Sequence, residues 1–541
     1  MFLKNNCTVR SFIASSAIGL VVAFAGTSFA APDIVAYIPA QNLPSANDEN
    51  LGEVPSNSSL FTWHQTDSRE RSYLALLETK ASHEAGQTLR PALSWETGKG
   101  KSYLIPALEI PGFIVLLNAF DRLAFPHKIK EGRRAYNTTP STIWEHLHRQ
   151  NWHFDRDSFE VNQLGHPYQG ATMYGLARSS GLGFWESALY SNAGSFLWEM
   201  AGETTRPSVN DQITTGNAGA LFGEALFRMA NLVLEDGGGR PDGWHELAAA
   251  AISPPTGFNR LVFGDRLKSV YPSHKPATFW RFMLGSSRQT SSRNLTTAED
   301  HDTNAVADFS MAYGLPGKQG YTYHRPLDYF NFDLETRARA RNFLEAVTLR
   351  GLLIGTDYQV WNDYRGVWGL YGSYDYISPR LFRVSSTALS LGSTGQYWMA
   401  PGVALQGSLL GGFGFGAAGA DTESIDGRGF HYGGTPQGLL ALGLIFGDRV
   451  MLDVTGRSYY VSKWIPDQTP GPELVLRGNA GITVRIAGNH AVSISYAHSI
   501  RETYYHNFAN QYHTEGTVNI FYTYLSNRNF GAVEWRNTAE R

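Results

Sequence analysis

The chain has 541 residues, a formal net charge of −3, 17% charged residues, 13% aromatic residues and 56 glycines. Charge is well below the usual share of about a quarter, and no basic stripe is present to neutralise phosphates, which argues against nucleic acid as a partner. Few charges with many aromatics and glycines suit a β-rich chain whose outer surface meets lipid.

In chain order, the first element is an export signal. Lys4 and Arg10 precede an apolar run from about Phe12 to Ala25, and the small residues Ser28 and Ala30 follow at a cleavage site, the pattern of a secretory signal peptide over residues 1–30. A membrane-spanning helix needs about 20 apolar residues and a basic stop beyond them. The single cysteine, Cys7, lies inside this signal. The mature chain is therefore expected to hold itself by packing or by closed backbone hydrogen bonding rather than by disulfides.

Residues 31–100 are polar and without a period, and read as a low-order leader. The apolar block Tyr103–Phe125 is interrupted by Pro106, Glu109 and Pro111. Prolines break helices, so the expectation is a short lead and a helix from about Gly112 to Phe125, too short to span a bilayer. From Pro140 to Asp236 the pattern is helical: Thr139 or Ser141 caps one helix, Asn210 or Asp211 caps another, and Gly237 to Gly239 end the last. Within "PSVNDQITTGNAGALFGE", Asp211, Thr215, Gly219 and Gly223 fall four apart, on one helical face. Such a small-residue ridge lets two backbones approach closely. These segments define a helical domain at 101–240, followed by a connecting region at 241–327 with two weak strand signals, "NRLVFGD" and "AVADFSMAYG".

From Asp328 the period changes to two. Phe330, Phe332 and Leu334 alternate with Asn331, Asp333 and Glu335, and the same pattern recurs in "GITVRIAG", "AVSISYAHS" and "TVNIFYTY". The runs are about 10 to 15 residues long, the length a tilted strand needs to cross an outer membrane, where strands of ordinary domains average about 5 to 6. "FGDR" and "AGNH" are tight hairpin turns, whereas "GADTESIDGRGFHY", "SKWIPDQTPGP" and "YYHNFANQYH" are long. Strand starts near 328, 347, 363, 383, 403, 431, 449, 473, 490 and 514 give ten strands, or twelve with the weak signals. The expected fold is a membrane all-β protein: a transmembrane barrel of about 10–12 antiparallel strands at 328–526, with an N-terminal α-helical periplasmic or plug domain and a tail at 527–541. The competing fold is a secreted β-sandwich. Strand length, the alternation of short and long turns, and aromatics near strand ends weigh against it.

The helical block carries a dense polar set: His166, Tyr168, Gln169, Arg178, Glu186, Glu199, Glu203, Asn210, Asp211, Thr215 and Glu224. Glu186 and Glu199 follow tryptophans inside apolar helices, where an unpaired charge costs several kcal/mol, so both are expected to pair with Arg178, His166, Arg206 or Arg228. As chemistry, His166 is the candidate base beside Glu199, Glu203 or Asp211; as structure, the set is a network that fixes helix packing, with Tyr168, Gln169, Arg178, Glu186, Asn210 and Thr215 as its ligand-binding or structural members. No Gly-x-Ser-x-Gly elbow, phosphate loop, His-Glu-x-x-His or metal-binding cysteine set occurs, and the sequence names no cofactor and no metal. "GGFGFGAAGAD" (Gly411 to Asp421) echoes a dinucleotide loop but lies among strands with no following helix, and reads as glycine in a barrel wall.

The stretches Asn162 to Glu203 and Arg206 to Arg228, with their histidine-proline-tyrosine, tryptophan-glutamate pairs and asparagine-aspartate cap in order, resemble a domain-of-unknown-function family of Gram-negative outer-membrane proteins. The resemblance covers roughly residues 100 to 240. It implies a periplasmic or barrel-associated helical domain ahead of a barrel, and no activity.

The sequence thus points to an outer-membrane barrel whose helices plug or gate its inner mouth and which binds or handles an envelope or amphiphilic molecule. Outer-membrane lipid is the expected partner, with lipopolysaccharide at the basic run Arg337 to Phe343 and the barrel-assembly machinery during biogenesis. The alternatives are an outer-membrane hydrolase acting on lipid or lipopolysaccharide, and a soluble secreted β-protein.

Overall fold

The computed structural model describes residues 91–535 apart from 150, 156, 239–240, 294–299, 339–342, 380, 421–428, 465–470 and 505–509. The signal segment, the leader as far as residue 90, Gly239 of the helix stop and most of the basic run after Arg337 lie outside the described residues.

Twelve antiparallel strands close into one barrel: β1 Thr278–Arg293, β2 Asp300–Tyr313, β3 Phe330–Arg337, β4 Leu344–Val360, β5 Tyr364–Ile377, β6 Phe382–Ala400, β7 Val403–Ala420, β8 Phe430–Phe446, β9 Val450–Val461, β10 Glu473–Ala487, β11 His490–Thr503 and β12 Gln511–Leu525. Closure is made by β12 on β1, in register from His513 opposite Arg293 to Leu525 opposite Arg281, so the sheet keeps no free edge. Of the two weak strand signals, "AVADFSMAYG" is β2. "NRLVFGD" is helical, and the true first strand is "TFWRFMLGSSRQTSSR", whose polar second half hides its period. Two of the tight turns carry glycine in the left-handed region that favours it: Gly447 and Gly488 have φ of 54° and 53°.

The barrel's exterior is an apolar belt that includes Leu452, Ile482, Val492, Ile494, Val518 and Ile520. Its interior carries charges. Arg281 on β1 reaches Asp453 on β9 at 2.7 Å, Arg477 on β10 reaches Glu335 on β3 at 2.8 Å, and Arg457 on β9 reaches Asp375 on β5 at 3.0 Å. These pairs strut non-adjacent strands across the lumen.

The helical domain comprises α1 Leu104–Ala124, α2 Pro140–Arg149, α3 His166–Ser179, α4 Phe184–Ala201, α5 Val209–Ile213, α6 Gly219–Asp236, α7 Gly243–Ile252 and α8 Pro254–Phe263. Helix α1 is continuous, with Pro111 inside it, contrary to the break expected from its prolines. By length and composition it is apolar enough to cross a membrane. The small-residue ridge is a packing surface: a Cβ on Gly219 would fall 2.6 Å from the Gly170 Cα, and one on Gly170 would fall 1.8 Å from the Thr215 carbonyl oxygen, so α3 and α6 cross at backbone contact.

The helices do not plug the lumen. On each strand, one parity faces out. Trp368 on β5 is 56% exposed, yet Tyr374 and Tyr376, of the same parity, are 1% exposed, because α6 and the segment before α3 cover them. Leu389 and Arg383 on β6, and Phe413 and Phe415 on β7, divide in the same way. Phe222 of α6 lies 5.9 Å from Tyr374, Phe159 lies 5.6 Å from Tyr376, and Phe154 lies 5.6 Å from Tyr432 (ring centroids). The helical domain is therefore docked on the outer wall.

Candidate functional site in the helical domain

Two π-helical turns frame the site. One, Val161–Gly165, ends where α3 begins at His166, and the other, Thr214–Ala218, follows α5, which carries Asp211. Such turns cost regular hydrogen bonding and recur at functional sites. They bring His166 Nε2 to 3.6 Å from Asp211 Oδ1, with both residues buried. Ser208, not Asn210 or Asp211, caps α5: its Oγ accepts from the Asp211 amide at 3.2 Å, and its own amide donates to Glu199 Oε2 at 2.7 Å. Ser208 thus joins the Asp211 end of α5 to the carboxylate of Glu199. Among the described residues, His166 Nδ1 has no hydrogen-bond partner.

Asn210 is the hub of this network. Its Nδ2 donates to Asp211 Oδ1 at 2.7 Å and to the Tyr432 hydroxyl at 3.0 Å, and its Oδ1 accepts from the Asp155 amide and from Ser208 Oγ. Asn162 Nδ2 also donates to the Tyr432 hydroxyl, at 2.8 Å. Tyr432 stands on β8 and faces out of the barrel, so the site is completed by the barrel wall. The sequence offered one signal for it, an aromatic at the outward parity of "FHYGG".

Glu203 belongs to a neighbouring cluster. Lys130 Nζ reaches Asp157 at 2.7 Å, Glu203 at 2.9 Å and Asp155 at 3.8 Å. Burial works against the charged carboxylates of Asp157 and Glu203, but the Lys130 ammonium outweighs it and holds both below the usual carboxylate range. The opposite balance rules beside His166. Burial pushes Asp211 up to about 7 against the pull of His166, and burial, then the charges of Asp211 and Glu203, raises Glu199 well above its ordinary value. A carboxyl beside an imidazole in a buried site is an arrangement that can exchange a proton.

The remaining candidates are held in other contacts. Arg178 pairs with Glu224 at 2.8 Å and Arg228 pairs with the same carboxylate at 2.7 Å, so the arginines expected at Glu186 and Glu199 are spent on Glu224. Arg206 pairs with Glu131 at 3.1 Å. Glu186 caps α4 by accepting from the Gly183 amide at 2.7 Å and pairs with Lys101. Tyr168 packs its ring against Phe222, and Gln169 is buried with its Nε2 unpartnered among the described residues. The Thr215 carbonyl accepts from Ser191 Oγ. Among the described residues, no group of three or more His, Cys, Asp or Glu is placed to hold a metal ion.

A second candidate lies in the lumen, a cavity of about 240 Å³ whose walls include Arg281, Asp333, Glu335, Asp453, Arg457 and Arg477. Its short-turn mouth is stoppered. Leu315, Tyr321 and Tyr323 from the β2–β3 connection and Phe530 and Val533 from the tail pack against Val367, Tyr371, Ala404 and Ile445. Gln406 Nε2 donates to the Gly531 carbonyl at 2.9 Å, and Trp398 Nε1 donates to that of Glu534 at 3.1 Å.

Residues 151–255 match the family model of a domain of unknown function, DUF3943, which spans α3 to α7 and the start of α8. A comparison with curated proteins finds no match. Among solved structures, the chain is similar to the NanC porin (5% identity, TM-score 0.23, 44% of this chain and 98% of that one). It is also similar to the translocator domain of the autotransporter NalP from Neisseria meningitidis (16% identity, TM-score 0.22, 45% and 88%), and to a mutant of the TodX monoaromatic hydrocarbon channel (11% identity, TM-score 0.20, 52% and 94%). These scores are low, and the barrel assignment rests on the closed ladder of strands.

Proposed function

We propose that this chain is an outer-membrane barrel protein that binds and handles an amphiphilic envelope molecule and does not serve as a general pore. The closed ladder and its apolar outer belt support the membrane location. The observation that carries the functional reading is the stoppered lumen: a charged chamber closed at the short-turn mouth by Phe530, Val533 and the β2–β3 connection, with ion pairs strutting its walls. A free-diffusion pore needs an open aqueous path, and here the short-turn mouth of the chamber is packed with side chains. The helices, on the outer wall, are placed to meet molecules that arrive through the bilayer. The test is conductance of the purified protein in planar bilayers, together with mass spectrometry of what co-purifies with it. The expected result is no stepwise conductance and a retained lipid or lipopolysaccharide fragment; large, steady porin-like conductance overturns the reading.

A second reading is favoured by the buried His166–Asp211 pair: hydrolysis of an envelope lipid with His166 as base. His166→Ala then abolishes turnover on envelope lipids in a barrel that still inserts and stays heat-modifiable. Loss of barrel yield alone identifies the network as structural.

A further inference from the structure

The polarity of the helical domain is inverted relative to a water-soluble bundle. On α4, Ser187, Ser191 and Ser195 recur every fourth residue and all point inward, where Ser191 Oγ donates to the Gly170 carbonyl at 3.0 Å and Ser195 Oγ to that of Asp211 at 3.4 Å. The opposite face of the same helix presents Trp185, Leu189 and Phe196, with Leu189 70% exposed. Helix α1 repeats the arrangement. Asn118 is buried and donates to the Tyr136 and Gly202 carbonyls, whereas Leu108, Val115, Leu116 and Leu123 line the outside, Leu116 at 71% exposure. Leu261 on α8 is 83% exposed. Charges are held inside by partners: Glu224 between Arg178 and Arg228, and Lys130 among Asp157 and Glu203.

In water, a surface helix turns its apolar stripe to the core and its polar residues out. Small and hydroxyl residues at helix crossings, paired charges inside and large apolar residues outside are the pattern of helices packed in lipid. Contiguous apolar surface of this extent marks a membrane or a partner. Position decides between them. The helices stand on outward-facing residues of β3 to β8, Phe332, Tyr374, Tyr376, Phe415 and Tyr432, in the place that lipid occupies around the rest of the wall. Their apolar outer face therefore continues the barrel's belt.

We infer that the helical domain is seated in the same bilayer as the barrel, with the outer faces of α1 and α4 in contact with acyl chains. This deepens the proposed function and rests on the barrel being membrane-inserted. Helix α1, with 21 residues, spans about 31 Å at about 1.5 Å per residue, which matches a hydrocarbon core of about 30 Å.

The test uses the full chain with Cys7 replaced by serine and a single fluorescent label at Leu116→Cys or Leu189→Cys on the helices, Ile494→Cys on the barrel belt, or Asp448→Cys in a short turn, each in phosphatidylcholine vesicles. Brominated acyl chains are expected to quench the Leu116 and Leu189 labels as strongly as the Ile494 label, at least several-fold more than the Asp448 label. Quenching of the helix labels by aqueous iodide to the level seen at Asp448, or protection from both quenchers by a second copy or a protein partner, overturns the inference while the barrel reading stands. An Ile494 label that behaves like the Asp448 label overturns the barrel reading and the inference together.

Discussion

Arg228 of α6 and Asp328, on the connection that enters β3, form a buried ion pair at 3.0 Å that ties the helical domain to the barrel. The guanidinium also donates to the Pro326 carbonyl at 2.6 Å, and Asp328 accepts from the His324 and Arg325 amides. The pair thus fixes both the docking of α6 and the fold of the connection that helps to stopper the lumen.

Removing one partner of a buried pair costs about 3–5 kcal/mol, because the other charge is left desolvated. Arg228 keeps Glu224, so Asp328→Ala falls at the lower end of that range. The expected outcome is a barrel that still shows heat-modifiable migration in gels but whose helical domain is released by limited proteolysis between α8 and β1. A proteolysis pattern identical to that of the unmodified protein removes this pair from the docking account.

Two glycines give opposite expectations. Gly219→Leu places a side chain where Gly170 already lies at backbone contact, and overpacking of this kind costs about 1–3 kcal/mol or more. Gly112, in mid-α1, has nothing within 4 Å of where a methyl group would stand, so Gly112→Ala gains about 0.5–1 kcal/mol from helix propensity. Melting of the helical signal by circular dichroism is expected to fall for the first variant and to hold or rise for the second.

The barrel was readable in the sequence because its outward face meets one solvent over long stretches. Val518, Ile520 and Tyr522 share the outward face while Thr517, Asn519, Phe521 and Thr523 face in, and the turns at Gly447 and Gly488 announce the direction of each strand. Strand β1 was missed because Ser286 to Arg293 are mostly polar on both faces, so no period survives. The place of the helices was not legible either. Phe332, Tyr374 and Tyr432 have the same outward parity whether lipid or α6 covers them, and sequence period carries parity, not the identity of the neighbour. The polar set was recognisable as a buried network, but its pairing was not. Glu224 took both arginines because α3 and α6 cross at glycines, a contact set by tertiary packing. Tyr432, more than two hundred residues from Asn210, showed its outward parity but not its partner.

The stopper has its own test. Phe530 packs against Phe279 with ring centroids at 5.8 Å, and the Arg485 guanidinium lies over its ring. Removing this ring and the nearby Val533 side chain opens space that water can enter, because both belong to the apolar cluster that seats the tail beside hydrogen bonds such as Gln406 to Gly531. The double variant Phe530→Ala with Val533→Ala is expected to leave strand content unchanged and to produce small, flickering conductance in planar bilayers. A silent bilayer with this variant places the seal elsewhere in the lumen.

The carboxyl of Asp211 gives a pH dependence with a definite sign. Its ordinary value is 3.8, and burial raises it to about 7 in the folded protein. A raised value means that the folded state favours the proton, so this stabilisation is complete below about 4 and is lost as pH rises through about 7. Asp157 and Glu203 are lowered; their contribution is lost only as pH falls below the usual carboxylate range, so they are silent between pH 5 and 8. Across that window the melting temperature of the helical signal is expected to fall with rising pH. Asp211→Asn keeps a neutral group able to accept from Asn210 and cannot ionise, so its melting temperature is expected to fall less steeply. An equal slope in both proteins assigns the pH dependence to groups other than Asp211.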